Sequence, residues 1–394
     1  MTSMHTMTLS PKYVTTIKQG FPLILREAVS GPLPTEEGQL FYLVDAQKHY
    51  LATAYYGKQN KGIGWVVTTD QQQTIDVAFF KQLLQRAFAR RQHLFNSTTT
   101  TAFRVFNGEG DGLGGLTIEY FDGYYVVNWY SAGIYRWRTM IYEALQQVVT
   151  IKALYEKKRF DDHGQYIDQD DFVFGEPANF PLVVKENNMH FAVDLNDGAM
   201  TGIFLDQRHV RQAIRDRYAK NTNMLNTFSY TGAFSVAAAL GGAKQTTSVD
   251  VAKRSLPKTT EQFEVNAITA PQAIKVMDVF NYFKYAQKHG LTFDLVVLDP
   301  PSFARTKKTT FSSSKDYPKL LEDAIAITAK NGVIVASTNN AGITMKRFKQ
   351  MVSQAFGQRK YRILETHQLP EDFYVDQRFP EFNYLKVLFI KKQF

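Results

Sequence analysis

The stretch Phe293-Asp294-Leu295-Val296-Val297-Leu298-Asp299-Pro300-Pro301-Ser302-Phe303 joins an apolar, β-branched run to an acid, two prolines and an aromatic ring. Proline lacks an amide donor and fixes φ, so Pro300 and Pro301 cannot continue a central strand. The run therefore predicts a strand that ends at Asp299 and a turn that presents Asp299 and Phe303. Ligands bind at such strand ends in open α/β sheets. This chemistry suits a flat base that carries an amino group, and an ordinary strand-to-loop turn is the alternative.

Around this stretch, strands alternate with helices from about residue 180 onward. Such alternation is typical of an α/β fold with a doubly wound, Rossmann-like parallel sheet. We expect strands at residues 224–225, 245–249, 273–277, 295–298 and 333–337, and helices at residues 233–240, 253–266 and 318–330. The sequence therefore predicts one doubly wound domain over residues 180–394.

Two smaller domains are expected before it. Residues 1–70 hold short strand-like runs separated by turns, which predict a small β-barrel, and residues 71–179 predict a middle α+β domain that begins with a helix at about 76–95. On that helix Arg86, Arg90 and Arg91 lie opposite the apolar face, where a solvated surface is their simplest interpretation. The five glycines of residues 108–115 open into strands rather than a helix, so we interpret them as a structural turn.

The composition restricts the class of protein. The chain has 394 residues, a net charge of +9 and an isoelectric point near 9.3, which fits a polyanionic partner. It has no cysteine, which excludes disulfides, zinc–thiolate sites and a thiol nucleophile. No apolar run reaches the roughly 20 residues of a membrane span, and no secretory leader is evident at the first residues. We expect a cytoplasmic enzyme without a membrane or metal partner, and leave a homodimer open.

Three successive predicted strands end in an acid, namely Asp250, Asp278 and Asp299. In a parallel sheet these ends share one edge, and Gly232 in the preceding turn would let a ligand approach backbone amides. Asp250 is then placed to bind a ribose diol and Asp278 to accept from an adenine amino group, although each acid alone is explained as a cap. The G-x-G-x-x-G fingerprint of a pyrophosphate ligand is missing, so S-adenosylmethionine fits better than a nicotinamide cofactor.

Several motifs together resemble one enzyme family. The motifs are Asn107-Gly-Glu-Gly-Asp-Gly-Leu113, Ile203-Phe-Leu-Asp-Gln-Arg208, Asn226-Thr-Phe-Ser-Tyr-Thr-Gly232, Ser248-Val-Asp250, Leu298-Asp-Pro-Pro-Ser-Phe303 and Pro380-Glu-Phe-Asn-Tyr-Leu-Lys386. They are similar to those of the class I S-adenosylmethionine-dependent methyltransferases of large-subunit (23S) ribosomal RNA. The resemblance is to the cytosine-C5 methyltransferases with an N-terminal PUA domain, and it covers nearly the whole chain. It implies a PUA-like domain at residues 1–70 and ribosomal RNA as the partner.

The resemblance also implies roles for individual residues. Asn226, Ser229, Tyr230, Thr231 and Gly232 would hold the methionine part of the cofactor, with Gln207 and Arg208 closing the site from the preceding helix. Asp250 would bind the ribose and Asp278 the adenine. Asp299, Pro300 and Phe303 would meet the target base, where Asp299 also borders the cofactor. An ion pair with a neighbouring acid is the alternative for Arg208.

One departure from the family is chemically decisive. In the family a cysteine thiolate attacks C6 of the pyrimidine so that C5 becomes nucleophilic, and that cysteine follows the strand at residues 333–337. Here Asn339 occupies the position. Hydroxyl side chains are weak nucleophiles without a dedicated base. The sequence therefore excludes thiol-dependent C5 transfer.

An exocyclic amino group is the alternative acceptor. The Asp299 carboxylate and the Pro300 carbonyl would accept its hydrogen bonds while Phe303 stacks on the base. Asn339 and Asn340 would read the base edge, or simply form a turn, and Arg305, Lys307 and Lys308 would contact RNA phosphates, or form a solvated loop. Two rival functions stay open: a methyltransferase of protein or small molecules, and a non-catalytic RNA-binding assembly factor.

Overall fold

The structure is a computed structural model that describes residues 4–58, 62–160, 166–167, 170–270, 272–305 and 310–394. The chain divides into two compact units. Unit 1 comprises Met1–Phe180, Asp194–Thr201 and Glu371–Phe382, and unit 2 comprises Pro181–Val193, Gly202–Pro370 and Asn383–Phe394. No helix in the described part of the chain is long and apolar enough to cross a membrane.

The described residues of unit 1 form two sheets. The first comprises, with one helix, β1 (His5–Leu9), α1 (Pro11–Lys18), β2 (Leu23–Leu25), β3 (Val29–Ser30), β4 (Leu40–Val44), β5 (Tyr50–Tyr56) and β6 (Gly62–Thr68). Its six strands lie in the order β2-β6-β5-β4-β1-β3. The second comprises, with its helices, α2 (Val77–Arg90), α3 (Gln92–Phe95), β7 (Ala102–Asn107), β8 (Leu116–Phe121), β9 (Tyr124–Trp129), α4 (Ala132–Tyr135), α5 (Arg138–Val148), β10 (Ala153–Lys158) and β11 (Phe172–Gly175). Its five strands lie in the order β11-β10-β9-β8-β7.

Two sequence-based expectations for unit 1 have clear outcomes. The glycine-rich segment forms a 3-10 turn, Gly108–Asp111, between β7 and β8, as expected of a structural turn. The solvated-face interpretation is wrong for Arg91, whose side chain is buried and binds both oxygens of Asp111 and the carbonyl of Asp372. The predicted helix is interrupted at this residue, where α2 ends and α3 begins.

Unit 2 begins with a two-stranded hairpin, β12 (Leu182–Glu186) and β13 (Met189–Val193). Its further elements are α6 (Arg208–Ala213), β14 (Asn223–Thr227), α7 (Ala233–Leu240), β15 (Gln245–Asp250), α8 (Ser255–Glu264), β16 (Gln272–Val276), α9 (Val279–Lys288), β17 (Phe293–Leu298), β18 (Phe303–Arg305), β19 (Thr310–Ser312), α10 (Ser313–Ile327), β20 (Thr328–Thr338), α11 (Met345–Phe356), β21 (Tyr361–His367) and β22 (Lys386–Lys392). Seven of these strands form a sheet in the order β16-β15-β14-β17-β20-β22-β21, in which β14 to β17 and β20 are parallel and β22 runs antiparallel to both of its neighbours.

The predicted doubly wound α/β sheet is confirmed, but both boundaries of one predicted helix were wrong. The helix expected at residues 318–330 begins at Ser313 and ends at Ile327, so Pro318 lies inside it. Proline there removes one internal hydrogen bond. The helix still forms because it buries Tyr317, Leu320 and Leu321, and because the Asp316 carboxylate accepts from the Ser312 amide at its start.

Candidate active site

The carboxyl ends of the parallel strands bring the predicted acids to one edge of the sheet in unit 2. Strand β14 pairs in parallel with both β15 and β17, and β15 pairs with β16. Asp250 is the last residue of β15 and Asp299 follows β17 directly. Asp278 lies two residues beyond β16, where its carboxylate accepts from the Asn281 amide and caps α9. The change of strand order at β14 makes this edge the ordinary ligand site of such a sheet.

A tight turn of unusual backbone conformation follows β14. Phe228, Tyr230 and Gly232 have φ values of +53°, +51° and +79°. Left-handed conformations of residues with side chains are uncommon and concentrate at functional sites. The amide of Tyr230 donates to Asp250 Oδ2 over 2.9 Å, which ties the turn to the end of β15. The sequence pointed to Gly232 but gave no signal for the conformation of the other two residues.

Gly232 is packed against the side chain of Thr259 on α8. A Cβ at Gly232 would lie 2.5 Å from Thr259 Cγ2, so a side chain there requires a displacement of the turn or of α8. We expect Gly232→Ala to weaken binding of S-adenosylhomocysteine at least tenfold, because the left-handed conformation alone costs about 1–2 kcal/mol. Titration calorimetry on the full chain measures this.

The matched control is Gly290→Ala. Gly290 has φ of +64° but no atom within 4 Å of its ideal Cβ, so it carries the conformational cost without the steric contact. Equal losses of ligand affinity in the two variants would contradict an involvement of the Gly232 turn in binding.

Three buried acceptor atoms at this edge have no hydrogen-bond partner among the described residues. They are Asn226 Oδ1, Ser229 Oγ and Gln207 Oε1. Asn226 and Gln207 are at most 3% exposed, and Ser229 is 6% exposed. Buried polar groups are nearly always paired in folded proteins. An ammonium donor supplied by a ligand would satisfy such acceptors, and the amino-acid part of S-adenosylmethionine carries one.

The carboxylate of Asp250 is held by the backbone around it. Its Oδ2 accepts from the amide of Tyr230 over 2.9 Å, and its Oδ1 accepts from the amide of Ala252 over 2.8 Å. Each carboxylate oxygen has a second lone pair. Asp250 is thus oriented by its neighbours and retains acceptor capacity for a diol. Thr231, by contrast, uses its hydroxyl to donate to the Gly202 carbonyl over 2.7 Å.

Asp299 is held by an amide side chain from another element. Gln207 Nε2 donates to Asp299 Oδ1 over 3.2 Å and to Ser337 Oγ over 2.9 Å. Burial raises the pKa of Asp299 to about 6, and the charge of Asp206 acts in the same direction. The carboxyl group of Asp299 is therefore mostly ionised at neutral pH and able to accept a proton near it. Gln207 was expected at the cofactor, and the structure adds this contact with Asp299.

Asp206 and Tyr384 lie next to this group, and sequence reasoning gave neither a role. Tyr384 donates to Asp206 Oδ2 over 2.9 Å. Both residues stood inside motifs that carried the family resemblance, which was the available signal. Lys386, at the end of the second motif, is buried and donates to the carbonyls of Asn340 and Tyr384. Desolvation lowers the pKa of Lys386 to about 8.

The predicted base-facing residues differ in how much of their bonding capacity is used. Phe303 is 62% exposed, which leaves its ring free to stack. Asn339 accepts from Ser302 Oγ over 2.7 Å, and no described residue accepts from its amide nitrogen. Asn340 donates to Ser313 Oγ and accepts from the Gly342 amide, so its side chain serves the turn that was its alternative interpretation. Ser337 and Tyr317, not predicted, border Asp299 from β20 and α10.

The remaining predicted residues separate into buried and undescribed ones. Arg208 is 2% exposed at the start of α6. One turn further, Arg211 forms a buried ion pair with Glu186 and donates to the Phe204 carbonyl, a structural contact that no motif indicated. The Arg305 side chain, Lys307 and Lys308 lie outside the described residues. In the described ranges no three His, Asp or Glu side chains are grouped as metal ligands.

A doubly wound sheet with a glycine turn after its central strand, an acid ending the next strand and buried acceptors between them defines a class I methyltransferase site. A family model for S-adenosylmethionine-dependent methyltransferases matches residues 104–373, and a PUA-like domain model matches residues 7–69. The chain belongs to the S-adenosylmethionine-dependent methyltransferase family, and S-adenosylmethionine is its cofactor. The fold, the enzyme class and the cofactor expected from the sequence are confirmed.

Individual relatives agree with this assignment. A Bacillus subtilis (strain 168) protein, provisionally named ribosomal RNA large subunit methyltransferase YwbD, is 56% identical over 99% of this chain and 100% of its own length. Ribosomal RNA large subunit methyltransferase I of Escherichia coli O139:H28 (strain E24377A / ETEC) is 32% identical over 89% of each chain. The crystal structure of SMU.776, provisionally described as a methyltransferase and complexed with SAH, has a TM-score of 0.92 at 40% identity, covering 98% of this chain and 100% of that one.

Proposed function

We propose that this enzyme methylates a nitrogen of a base in large-subunit ribosomal RNA without forming a covalent bond to the base. The proposal depends on one observation: the carboxylate of Asp299 is desolvated at the carboxyl ends of the parallel strands. The chain has no cysteine that could attack the base instead. The names of the relatives from Bacillus subtilis and Escherichia coli support ribosomal RNA as the substrate. Residues 1–70, 71–179 and 180–394 are then a PUA-like domain, a middle domain and the catalytic domain. A cytoplasmic location follows from that substrate, and the homodimer stays a prediction.

The proposed cofactor contacts use the residues at the glycine turn. Asn226, Ser229 and Gln207 would receive the amino-acid part, because their buried acceptors need donors. Tyr230, Thr231, Gly232 and Arg208 would form the surrounding wall, and Asp250 and Asp278 would accept from the ribose and adenine. When bound, S-adenosylmethionine supplies a methyl group already activated on a sulfonium. The protein therefore has to orient the acceptor nitrogen and remove its proton.

Asp299 and the Pro300 carbonyl would accept hydrogen bonds from the exocyclic amino group and aim its lone pair at the methyl carbon. Transfer of the methyl group from the sulfonium sulfur to this nitrogen would release one proton from the nitrogen, and Asp299 would accept it. Phe303 would stack on the base, and Asn339, whose amide nitrogen donates to no described residue, would read its edge. Arg305, Lys307, Lys308 and Asn340 stay predicted RNA contacts.

Product analysis tests this chemistry directly. The full chain would be incubated with labelled cofactor and ribosomal RNA that lacks its own modifications, and the RNA digested to nucleosides for mass spectrometry. An N-methylated nucleoside is the expected product. Recovery of 5-methylcytidine would contradict a mechanism without a thiol. Cofactor binding without transfer to any RNA would favour a non-catalytic assembly factor, and transfer to protein or small molecules alone would exclude RNA as the substrate.

The raised pKa of Asp299 predicts the pH dependence of the reaction. The carboxyl accepts hydrogen bonds and a proton only when ionised, so kcat/KM should rise through about pH 6 and level off above it. The profile of initial rates at limiting RNA measures this. In the Asp299→Asn variant, the residual kcat/KM should not rise through pH 6. If it still does, the titrating group is not Asp299.

A further inference from the structure

Unit 1 contains a cavity of about 520 Å³ whose lining joins residues far apart in the sequence. Three arginines contribute to it: Arg86 and Arg90 from α2, and Arg378 from the segment Glu371–Phe382. Its size lies within the roughly 300–1,000 Å³ that small-molecule sites occupy. Nothing in the methyltransferase chemistry described above uses these residues.

The three guanidinium groups differ in how they are held. Arg90 donates to Asp111 Oδ1 over 2.8 Å, and its Cζ lies over the Tyr374 ring, 4.2 Å from the ring centroid. Arg378 is fixed by Asp376 and by the carbonyl of Gln19. The guanidinium of Arg86 is exposed and has no hydrogen-bond or ion-pair partner among the described residues. Two of the groups are thus oriented in advance, and the third is unpaired.

The lining contains three arginines and three carboxylates, those of Glu109, Asp111 and Asp376, and Arg91 next to it contributes a fourth guanidinium. Asp111 is fully buried and is shared between Arg90 and Arg91, so one carboxylate faces two guanidiniums. Arg378 and Asp376 balance each other. Burial raises the pKa of Glu109, whose Oε1 accepts from Trp65 Nε1 over 2.7 Å. These four guanidiniums exceed the three carboxylates by one, and Arg86 is the one that remains available for an anion.

We propose that this cavity binds the phosphodiester backbone of single-stranded RNA. Arginines that present flat, oriented guanidiniums are suited to phosphate oxygens, and the net charge of +9 gives the whole chain the sign that a nucleic acid requires. The identity of the polymer rests on the proposed function. The cavity volume exceeds what one phosphate fills, so we assign a nucleotide with its flanking phosphates rather than a free ion.

The test measures binding of fluorescein-labelled oligouridine to the full chain by anisotropy over a range of salt concentrations. Arg86→Gln should weaken binding roughly fivefold and lower the salt slope by about one, since one phosphate contact is lost. Arg86→Gln combined with Arg90→Gln should lower the slope by about two. Lys81→Gln is the matched control, because Lys81 lies on the same helix, carries the same charge and does not line the cavity.

Each outcome decides the inference. Arginine variants that bind RNA like Lys81→Gln, with an unchanged salt slope, would overturn it. Binding of uridine monophosphate or inorganic phosphate that depends on Arg86, with unchanged RNA affinity, would also overturn it in favour of a small-anion site. The readout requires no turnover, so loss of RNA affinity in the variants would support the cavity even if product analysis overturned the proposed reaction. If the enzyme produces a methylated ribosomal nucleoside but the arginine variants bind RNA normally, the proposed function stands and RNA binding in the cavity is excluded.

Discussion

Replacing Asp299 with alanine should lower the rate of methyl transfer roughly 100- to 1,000-fold, the usual cost of removing one preorganised polar contact to the reacting group. The carboxylate of Asp299 lies at the end of β17 and accepts a hydrogen bond from Gln207. Among the described residues, Asp299 is the one acid that Gln207 contacts in this way. Because the change removes orientation and proton acceptance, kcat should fall more than KM for RNA rises. Single-turnover rates with labelled cofactor measure the effect.

A second acid on the same strand serves as the control. Asp294 lies at the opposite end of β17, where its Oδ2 accepts from the Asn223 amide, and Asp294→Asn should leave kcat within about a factor of two because surface changes far from the site are small. RNA and S-adenosylhomocysteine binding by the Asp299 variant should persist, which separates lost chemistry from lost folding. A fully active Asp299→Ala enzyme would remove this residue from the mechanism.

The raised pKa of Asp299 also means that its ionised carboxylate lowers the stability of the folded protein at neutral pH. Its folded-state pKa of about 6 exceeds the ordinary value of 3.8, so the folded state favours the protonated form. The associated stabilisation is present below the ordinary pKa and is lost as pH rises through about 6. Asp299→Asn should therefore melt at a higher temperature than the natural protein at neutral pH, with the difference vanishing in acid. Inactivation combined with stabilisation is characteristic of a functional residue.

Breaking the buried ion pair between Arg211 and Glu186 should cost about 3–5 kcal/mol of the stability of unit 2, because one charge is left buried without a partner. Both side chains are at most 1% exposed, and Arg211 Nε and Nη2 each donate to one Glu186 oxygen, over 2.7 and 2.6 Å. Arg211→Met removes both bonds and the contact to the Phe204 carbonyl, which precedes the turn that carries Gln207. The unfolding midpoint in urea, with S-adenosylhomocysteine affinity as a second readout, measures the loss.

An exposed pair of the same geometry provides the comparison. Arg217 donates to both oxygens of Glu365, over 2.8 and 2.6 Å, but its side chain is 50% exposed. Arg217→Met should cost at most about 1 kcal/mol, as exposed ion pairs do. In the buried pair, adding Glu186→Leu to Arg211→Met should restore much of the stability, because the unpaired charge is removed. Equal losses in the buried and exposed single variants would contradict this account.

The sequence by itself determined the strand that ends at Asp299, the parallel sheet around it, the turn at Gly232 and the absence of a thiol nucleophile. Those features depend on neighbours in the chain: prolines stop a strand, apolar runs alternate with polar ones, and a missing residue type is missing everywhere. Only the tertiary structure decided that Gln207 holds Asp299, that Arg211 pairs with Glu186, and that Arg86 and Arg378 line one cavity. Residues distant in the sequence meet there through packing, and burial then sets their charge, which no local pattern encodes.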